Sequence, residues 1–407
     1  MSISLLFSNS DSISLSALKT VKLKKDLVKS ITIGGEDTIP NLSKKTGYSI
    51  PTITKLIGEL LDEGIIHDFG KIDTTGGRRP IVYGINPSAF YFLGVEVKRN
   101  AVTIGIQSAD SKNVKIVENI FYSLENNRES LDELCDIINV FIEKSEIPRQ
   151  KIVGACINLT GRINSREGFS YSFFYFEEKP LSLIIESKIH VKTYLENDSR
   201  AMTYGEYQYG LVKNEQEILF INISWGLGMG IICKGGLYYG KSGYSGEFGH
   251  APLLDNDIIC QCGKKGCLET EVSGWALERE IKEKLRSGAT SVLSKIKDID
   301  SINVDQIINA VTEQEDVLVI EVIEKMGEKL GRYLAMLVNI FNPELVIIGG
   351  TLAAVSDYIQ LTVQTALKRH SLNLVNQDVR FKTSKLGDKA GVVGACYIVR
   401  DKFFGLI

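Results

Sequence analysis

Hydrophobic residues recur at helical spacing three times near the start of the chain. The pattern predicts helices over residues 16–30, 38–47 and 50–64, each of the last two ending at a glycine. Two short apolar runs, IIHDF and IVYGI, then predict strands on either side of the polar segment GKIDTTGGRRP. Three helices followed by a β-hairpin predict an N-terminal winged helix-turn-helix domain over residues 1–85.

From residue 91 onward the pattern changes to that of an α/β protein. The runs FLGVEV, AVTIGIQSAD and KIVENIFYSL predict three consecutive strands, and Ser130 with Glu133 predicts a capping box that opens a helix over 131–146. Further on, the strand-like runs IVGACINLT, ILFINIS and ELVIIGG alternate with helices, including a long one at about 316–340. We therefore predict a two-lobed α/β domain over residues 86–407.

Composition and charge narrow the class of protein. The chain has 407 residues, 44% of them hydrophobic and 24% charged, which is typical of a globular protein with more than one domain. The formal net charge of -3 excludes a polycation but leaves room for a basic patch on one small domain. The chain shows neither a signal-peptide pattern nor a membrane-length apolar run, so we expect a cytoplasmic protein without membrane association.

The most specific chemical signal is a histidine followed by three closely spaced cysteines. His250, Cys260, Cys262 and Cys267 lie within GHAPLLDNDIICQCGKKGCLE. One imidazole and three thiolates suit tetrahedral Zn²⁺, and four protein ligands close the coordination, so we predict a structural rather than a catalytic ion. The alternative is a buried thiol cluster that holds no metal.

Other motifs are less specific. SWGLGMG (224–230) and IIGGT (347–351) could cradle phosphate through backbone N–H groups, or could simply be tight turns between strands. Asn197 and Asp198 follow a strand-like run and precede a helical one. They could bind sugar hydroxyls or act as a general base, but capping of the helix is the simpler interpretation.

The N-terminal domain carries candidate DNA contacts on its third helix and at its wing. Ser49 is a candidate cap of that helix, and the pattern places Thr52, Thr54 and Lys55 on its outward face. Arg78 and Arg79 stand at the wing tip, where arginine suits a narrow minor groove. The alternatives are a winged helix that binds protein, and a wing tip that is only a solvated loop.

These motifs together resemble the ROK family (repressor, open reading frame, kinase). The resemblance covers about residues 90–400 and is carried by SWGLGMGIICKGGLYYGKSGYSGEFGH, the cysteine string CQCGKKGCLE and ENDSRA. The preceding winged helix with GGRRP resembles the repressor branch of the family. The resemblance implies an actin/hexokinase-like (ribonuclease H-like) fold with a sugar-binding cleft, and assembly as a homodimer or homotetramer.

The resemblance also implies roles for individual residues. Asn197 and Asp198 match the sugar-contacting asparagine and the catalytic base of the family's kinases. Glu247 and His250 match its E-x-G-H segment, and Glu269 matches the glutamate after the last cysteine, all of which contact sugar hydroxyls. His250 would then use one ring nitrogen for zinc and the other for sugar.

Departures from the kinase pattern argue against phosphoryl transfer. The kinases carry a Gly-Gly-Thr phosphate loop where this chain has Lys98 and Arg99, and a Gly-Thr-Gly loop where it has Ser224-Trp225-Gly226. Phosphoryl transfer depends on positioning and charge stabilisation, so we expect no enzymatic activity. Thr160 also replaces a family proline, which leaves the identity of the sugar open.

The sequence thus predicts a sugar-responsive transcriptional repressor. Its expected partners are double-stranded operator DNA and a sugar or phosphosugar effector, and its expected cofactor is structural Zn²⁺. One alternative is a ROK sugar kinase with an appended DNA-binding domain, in which Asp198 would be the catalytic base. Another is a zinc-stabilised interaction scaffold without a ligand.

Overall fold

The structure, a computed structural model, describes residues 15–71, 80–112 and 114–407. These residues form two compact units. The first unit combines the described residues up to Glu196 with Ala395–Ile407, and the second unit is Asn197–Gly394. The residues of the predicted winged helix belong to the first unit, so the proposed domain boundary at residue 85 remains a prediction.

The first unit begins with three helices and a small antiparallel sheet of order β1-β3-β2. Gly47 has a φ of +74°, a conformation that favours glycine, and it ends the second helix before Ser49 caps the third. The order of the three helices and the following hairpin is the one predicted from the sequence, whereas the short strand β1 between the first two helices was not predicted. The elements are α1 Leu15–Gly34, β1 Asp37–Thr38, α2 Ile39–Thr46, α3 Ile50–Asp62, β2 Ile66–Lys71 and β3 Ile81–Ile85.

A second, five-stranded sheet of the first unit has the order β10-β7-β4-β5-β6. Strand β4 pairs antiparallel with β5 and parallel with β7, and two helices, α4 and α5, pack their apolar faces on this sheet. The elements are β4 Tyr91–Val97, β5 Ala101–Ser108, β6 Val114–Phe121, α4 Arg128–Lys144, β7 Ile152–Leu159, β8 Ile163–Asn164, β9 Phe169–Ser170, α5 Leu181–Ile189 and β10 Thr193–Asn197.

The predicted start of the first α/β helix was wrong by one turn. Helix α4 begins at Arg128 because the side chain of Asn127 accepts a hydrogen bond from the Ser130 backbone N–H. The Ser130 hydroxyl instead donates to the carbonyl of Ser123 and lies 2.7 Å from the hydroxyl of buried Tyr122. The predicted capping box at Ser130 is therefore absent.

The second unit is built around a mixed sheet of order β13-β12-β11-β14-β15. Strand β11 pairs antiparallel with β12 and parallel with β14. The long helix predicted at about 316–340 is α9, and its buried side chains belong to the hydrophobic core of this sheet. The elements are α6 Asp198–Gln208, β11 Ile218–Ile223, β12 Leu227–Cys233, β13 Gly236–Leu237, α7 Gly274–Arg286, α8 Val304–Thr312, α9 Val317–Phe341, β14 Leu345–Gly349, α10 Ser356–His370, α11 Asn373–Asp378 and β15 Arg380–Thr383.

The last helix, α12 (Ala390–Phe403), contributes its first residues to the second unit and the rest to the first. In the second unit its beginning contacts α6 closely: a Cβ on Gly394 would lie 1.8 Å from the carbonyl oxygen of Ala201, and one on Gly205 would lie 2.3 Å from that of Ala390. No larger residue fits at either position without moving the backbone.

Within the described parts of the chain, no helix combines the length and the apolar character needed to cross a bilayer.

Candidate functional site

The predicted metal ligands come together in the second unit. The ligand atoms of His250, Cys260, Cys262 and Cys267 all lie within 4.8 Å of one another. Cys260 Sγ is 3.5 Å from His250 Nδ1, and Cys262 Sγ is 3.6 Å from Cys267 Sγ. Zinc bonds of about 2.3 Å to sulfur and 2.0–2.1 Å to nitrogen predict tetrahedral edges of roughly 3.5–3.8 Å. The cluster therefore fits a four-coordinate zinc ion, with Nδ1 of the histidine facing it.

Glycines hold the backbone of the metal cluster in place. Gly249 precedes His250, and a Cβ there would lie 2.1 Å from the carbonyl oxygen of Leu227 in β12. Gly266 has a φ of +74°, and a Cβ there would lie 2.5 Å from the Leu254 carbonyl oxygen. Gly249 and Gly266 are thus needed for the close approach of backbone segments beside the ligands, whereas Gly263 is needed only for its φ of +83°.

The three thiols of the cluster differ in acidity. Burial raises the pKa of Cys260, and burial together with the Cys262 thiol raises that of Cys267. Burial also opposes ionisation of Cys262, but hydrogen bonds from the Lys264 backbone and the other thiols lower its pKa below the ordinary value. Since thiolates are the ligands, zinc would displace protons from Cys260 and Cys267 as it binds.

Three of the predicted sugar contacts adjoin the metal ligands. Glu247 Oε2 lies 3.9 Å from Nε2 of His250, the ring nitrogen that does not face Cys260. Glu269 is buried, its Oε2 accepts a hydrogen bond from the Leu227 backbone N–H at 3.0 Å, and its Oε1 lies 3.6 Å from Cys260 Sγ. Glu269 thus connects the metal cluster to the glycine turn before β12.

The other two predicted contacts lie at the beginning of helix α6. Asn197 caps this helix by accepting a hydrogen bond from the Arg200 backbone N–H, so the capping interpretation holds. Its Nδ2 also donates to Asp198 Oδ1 at 2.9 Å. The carboxylate of Asp198 lies half-buried in the first turn, where the helix dipole stabilises a negative charge. The capping role thus belongs to Asn197 rather than to Asp198.

The segment that matches the first kinase phosphate loop forms a β-hairpin turn. The Lys98 N–H donates to the carbonyl of Ala101 at 2.9 Å, and the carbonyl of Arg99 accepts from the Leu124 N–H. Arg99 is exposed. The turn is thus built from ordinary residues, with no glycine pair to let phosphate approach the backbone.

A buried polar network beside Asp198 was not predicted from the sequence. Ser199 Oγ accepts a hydrogen bond from Asn222, and Asn222 Oδ1 accepts one from Ser224. The Ser224 hydroxyl in turn accepts the Thr351 N–H at 3.1 Å. Asn222 lies on a strand whose sequence reads as uniformly apolar apart from this residue, and that single polar residue is the one available signal.

The predicted DNA contacts of helix α3 lie near its first turns. The Ser49 side chain accepts the Thr52 N–H, and its hydroxyl lies 2.8 Å from that of Thr52. The Thr54 hydroxyl donates to the Ile50 carbonyl, while Lys55 is exposed and its Nζ lies 3.9 Å from a carboxylate oxygen of Glu59.

The two arginines predicted at the wing tip, Arg78 and Arg79, lie outside the described residues. Their predicted contact with a minor groove therefore stays a prediction.

Comparison with known proteins identifies relatives along almost the whole chain. The chain is 28% identical over 361 residues to a protein named xylose repressor from Caldicellulosiruptor bescii, covering 88% of this chain and 90% of that one. It is 25% identical over 362 residues to the DNA-binding transcriptional dual regulator NagC of Escherichia coli (strain K12), covering 88% and 87%.

A solved structure resembles the fold over a similar extent. It is described as a ROK family transcriptional regulator, a homolog of the E. coli MLC protein, and matches with a TM-score of 0.77 at 25% identity over 96% of this chain and 98% of that one. Residues 92–402 match the ROK family itself. The predicted resemblance and the actin/hexokinase-like fold are thereby confirmed: the chain belongs to the ROK family.

Proposed function

We propose that the protein is a sugar-responsive transcriptional repressor that binds double-stranded operator DNA through residues 1–85. The observation that carries this proposal is the match to a ROK transcriptional regulator over 96% of the chain, which extends well before residue 92, where the family match begins. A function on DNA would place the protein in the cytoplasm. Ligand recognition would belong to the second unit, where the candidate contacts lie.

The test is operator binding with and without candidate effectors. Fragments from upstream of the protein's own operon are titrated with protein in the presence of xylose, glucose, N-acetylglucosamine or their 6-phosphates. We expect one of these sugars to weaken binding by about 5- to 150-fold, the usual range of allosteric coupling. Binding that no sugar changes, to any fragment, would contradict the proposal.

The chemistry at the beginning of α3 supports contact with DNA. Lys55 presents an exposed ammonium whose nearest described carboxylate, on Glu59, is 3.9 Å away, too far for a tight pair. The exposed Ser49 and Thr54 and half-buried Thr52 carry hydroxyls that can hydrogen-bond phosphate or base edges. We propose these four residues, with Arg78 and Arg79, as the DNA contacts.

Substitutions should separate phosphate contacts from wing contacts. Lys55→Ala should lower operator affinity and reduce the salt slope of binding by about one unit without changing base preference. Arg78→Ala with Arg79→Ala should also weaken binding. Lys368→Ala removes the same charge from an exposed site outside the proposed DNA-binding domain, so it should leave both affinity and slope unchanged. If Lys55→Ala binds like Lys368→Ala, helix α3 does not contact phosphate.

The candidate sugar contacts form two groups within the second unit. His250 belongs to the metal cluster, and Glu247 and Glu269 lie beside it. Asn197 and Asp198 form the other group, at the beginning of helix α6. Carboxylates, an amide and a ring nitrogen offer both donors and acceptors, which suits adjacent hydroxyl groups. A site that hydrogen-bonds hydroxyls rejects ligands lacking them, because its own polar groups would stay unpaired.

We assign the metal to Zn²⁺ in a structural role. His250, Cys260, Cys262 and Cys267 supply four ligands, so the coordination leaves no open position for catalysis. The zinc would hold the loop that carries Glu269 and fix the ring of His250, with Nε2 directed toward Glu247. Its contribution to the ligand site would thus be to orient these side chains.

We propose a homodimer or homotetramer as the working form. A repressor that reads two half-sites needs two DNA-binding domains. The second unit exposes large apolar side chains near the end of α9, where the Leu372 N–H donates to Asn339 Oδ1. Exposed large apolar side chains gathered in one region of a fold are typical of interfaces. The residues are Met336, Ile340, Phe341, Leu372 and Leu374.

A ROK sugar kinase is the second candidate, favoured by the retained Asp198. We expect no ATP-dependent phosphorylation of any hexose or N-acetylhexosamine, because Lys98 and Arg99 lie in a hairpin turn without a glycine pair and Trp225 stands where the kinases have a threonine. A coupled assay measures the turnover. Sugar-dependent turnover that Asp198→Asn abolishes would favour the kinase.

A further inference from the structure

A continuous series of hydrogen bonds joins Asp198 to the turn after β14. The Thr351 N–H donates to Ser224 Oγ at 3.1 Å, and the Ser224 hydroxyl donates to Asn222 Oδ1 at 2.7 Å. Asn222 Nδ2 donates to Ser199 Oγ at 3.0 Å, and the Ser199 hydroxyl donates to Asp198 Oδ1 at 3.2 Å. We call this series the Asp198–Thr351 chain; all of it lies in the second unit.

The two ends of the Asp198–Thr351 chain fix its direction. A backbone N–H can only donate, and an ionised carboxylate can only accept. Every donor between them therefore points toward Asp198, which also settles the orientation of the Asn222 amide. Hydrogen bonds aligned in this way polarise and strengthen one another, most of all where water is excluded. Ser199 and Asn222 are both 3% exposed, so the middle of the Asp198–Thr351 chain is shielded from water.

The surrounding backbone leaves room for the Asp198–Thr351 chain only because two residues are glycine. A Cβ on Gly228 would lie 2.1 Å from the Ser199 hydroxyl oxygen. Gly350 has a φ of +85°, and a Cβ there would lie 2.3 Å from Asn222 Oδ1. Any larger residue at either position would displace a member of the chain, so the path is specific to these residues.

We infer that Asn222 and Ser224 are positioning residues for Asp198, and that the chain transmits the ligand state of Asp198 to the turn at Gly350 and Thr351. The second part rests on the proposed function, in which Asp198 contacts the sugar. A sugar that holds the Asp198 carboxylate in one orientation would keep the Ser199 hydroxyl bonded to that carboxylate. Each following hydrogen bond of the series, as far as the Thr351 N–H, would then be open for a smaller fraction of the time. The effect should reach the Thr351 N–H, which begins the segment leading into α10.

The test without sugar measures hydrogen exchange of the Thr351 amide at single-amide resolution. Ser224→Ala removes its acceptor, so we expect exchange about 3- to 10-fold faster. Asn222→Ala and Asp198→Ala should also accelerate it, by less at each step away from Thr351. The amides of β14 are the internal reference and should not change; if Asn222→Ala fails to fold, Ser199→Ala breaks the same series.

Matched controls distinguish an effect of breaking the Asp198–Thr351 chain from a general destabilisation of the second unit. Ser371→Ala removes a half-buried hydroxyl that bonds only its own helix end, to the Leu367 carbonyl. Asp305→Ala removes a carboxylate from the first turn of α8, as Asp198→Ala does in α6. Neither should change exchange at Thr351. Faster exchange in Ser224→Ala alone would overturn the inference, because the Thr351 bond would then be independent of Asp198.

The test with sugar separates this inference from the proposed function. Xylose, glucose, N-acetylglucosamine and their 6-phosphates are the probes, and the one that binds should slow Thr351 exchange at least about 3-fold in the wild type. In Asn222→Ala the bound sugar should leave Thr351 unchanged. If no probe binds while the sugar-free results hold, the positioning role stands and the proposed function fails. A bound probe that slows Thr351 equally in Asn222→Ala overturns transmission through the chain.

Discussion

Asp198→Ala should give a repressor that stays on its operator whatever the sugar concentration. The substitution removes a carboxylate from the first turn of α6, and a hydrogen bond between a charged group and a ligand contributes about 1.5–3 kcal/mol, or roughly 10- to 150-fold in affinity. A sugar that no longer distinguishes the two states of the protein cannot shift their equilibrium. Operator affinity without sugar should be unchanged, since the substitution does not alter the helices proposed to contact DNA.

The measurement is a pair of titrations, of sugar into protein and of protein into operator at saturating and zero sugar. Asp305→Ala is the matched control, because it removes a first-turn carboxylate from α8 and should leave the sugar response intact. By linkage, DNA should weaken sugar binding to the wild type by the same factor as sugar weakens DNA binding. An Asp198→Ala protein that its sugar still releases normally would place the ligand elsewhere.

Much of the fold could be predicted because its signals are local. Short apolar runs predicted the strands, and the helical patterns predicted α3 and α9 to within a few residues. The metal cluster could be predicted equally well, since three cysteines within eight residues must lie close together once two glycines turn the backbone. Where the prediction of α4 was wrong, two capping residues competed, and Asn127 lay nearer to the true start than Ser130.

The network around Asp198 could not be predicted for the opposite reason. Asn222 and Thr351 are separated by more than a hundred residues, and they meet only because β11 and β14 pair in parallel, with Asn222 opposite Gly349. Thr351 ends the glycine-turn motif IIGGT, but that motif does not indicate which side chain the Thr351 N–H contacts. The sequence likewise did not predict the hydrogen bond that Glu269 accepts from the Leu227 N–H, because this bond depends on the turn before β12. The pairing register of strands that are distant in the sequence thus determines side-chain contacts that local motifs do not indicate.

Cys262→Ser should remove the metal and destabilise the second unit. Serine cannot replace the thiolate of Cys262, which lies 3.6 Å from Cys267, and a three-ligand site binds zinc far more weakly than a closed one. The unfolded chain would lack a preformed site, so the free energy of zinc binding would add to the free energy of folding. We therefore expect the Tm to fall by about 10 °C or more when the site is lost. Zinc measured by elemental analysis should fall from about one per chain to well below half of that.

Cys233→Ser is the matched control for this change. Cys233 is an exposed cysteine at the end of β12 that lies outside the four-residue cluster, so its loss should alter neither zinc content nor Tm. A chelator should lower the Tm of the wild type and of Cys233→Ser toward that of Cys262→Ser, because all three would then lack the metal. Sugar affinity should fall with the zinc, since the loop carrying Glu269 and the ring of His250 lose their common anchor. Folded wild-type protein with less than about 0.3 zinc per chain, purified without added metal, would show that the thiols form a buried cluster rather than a closed zinc site.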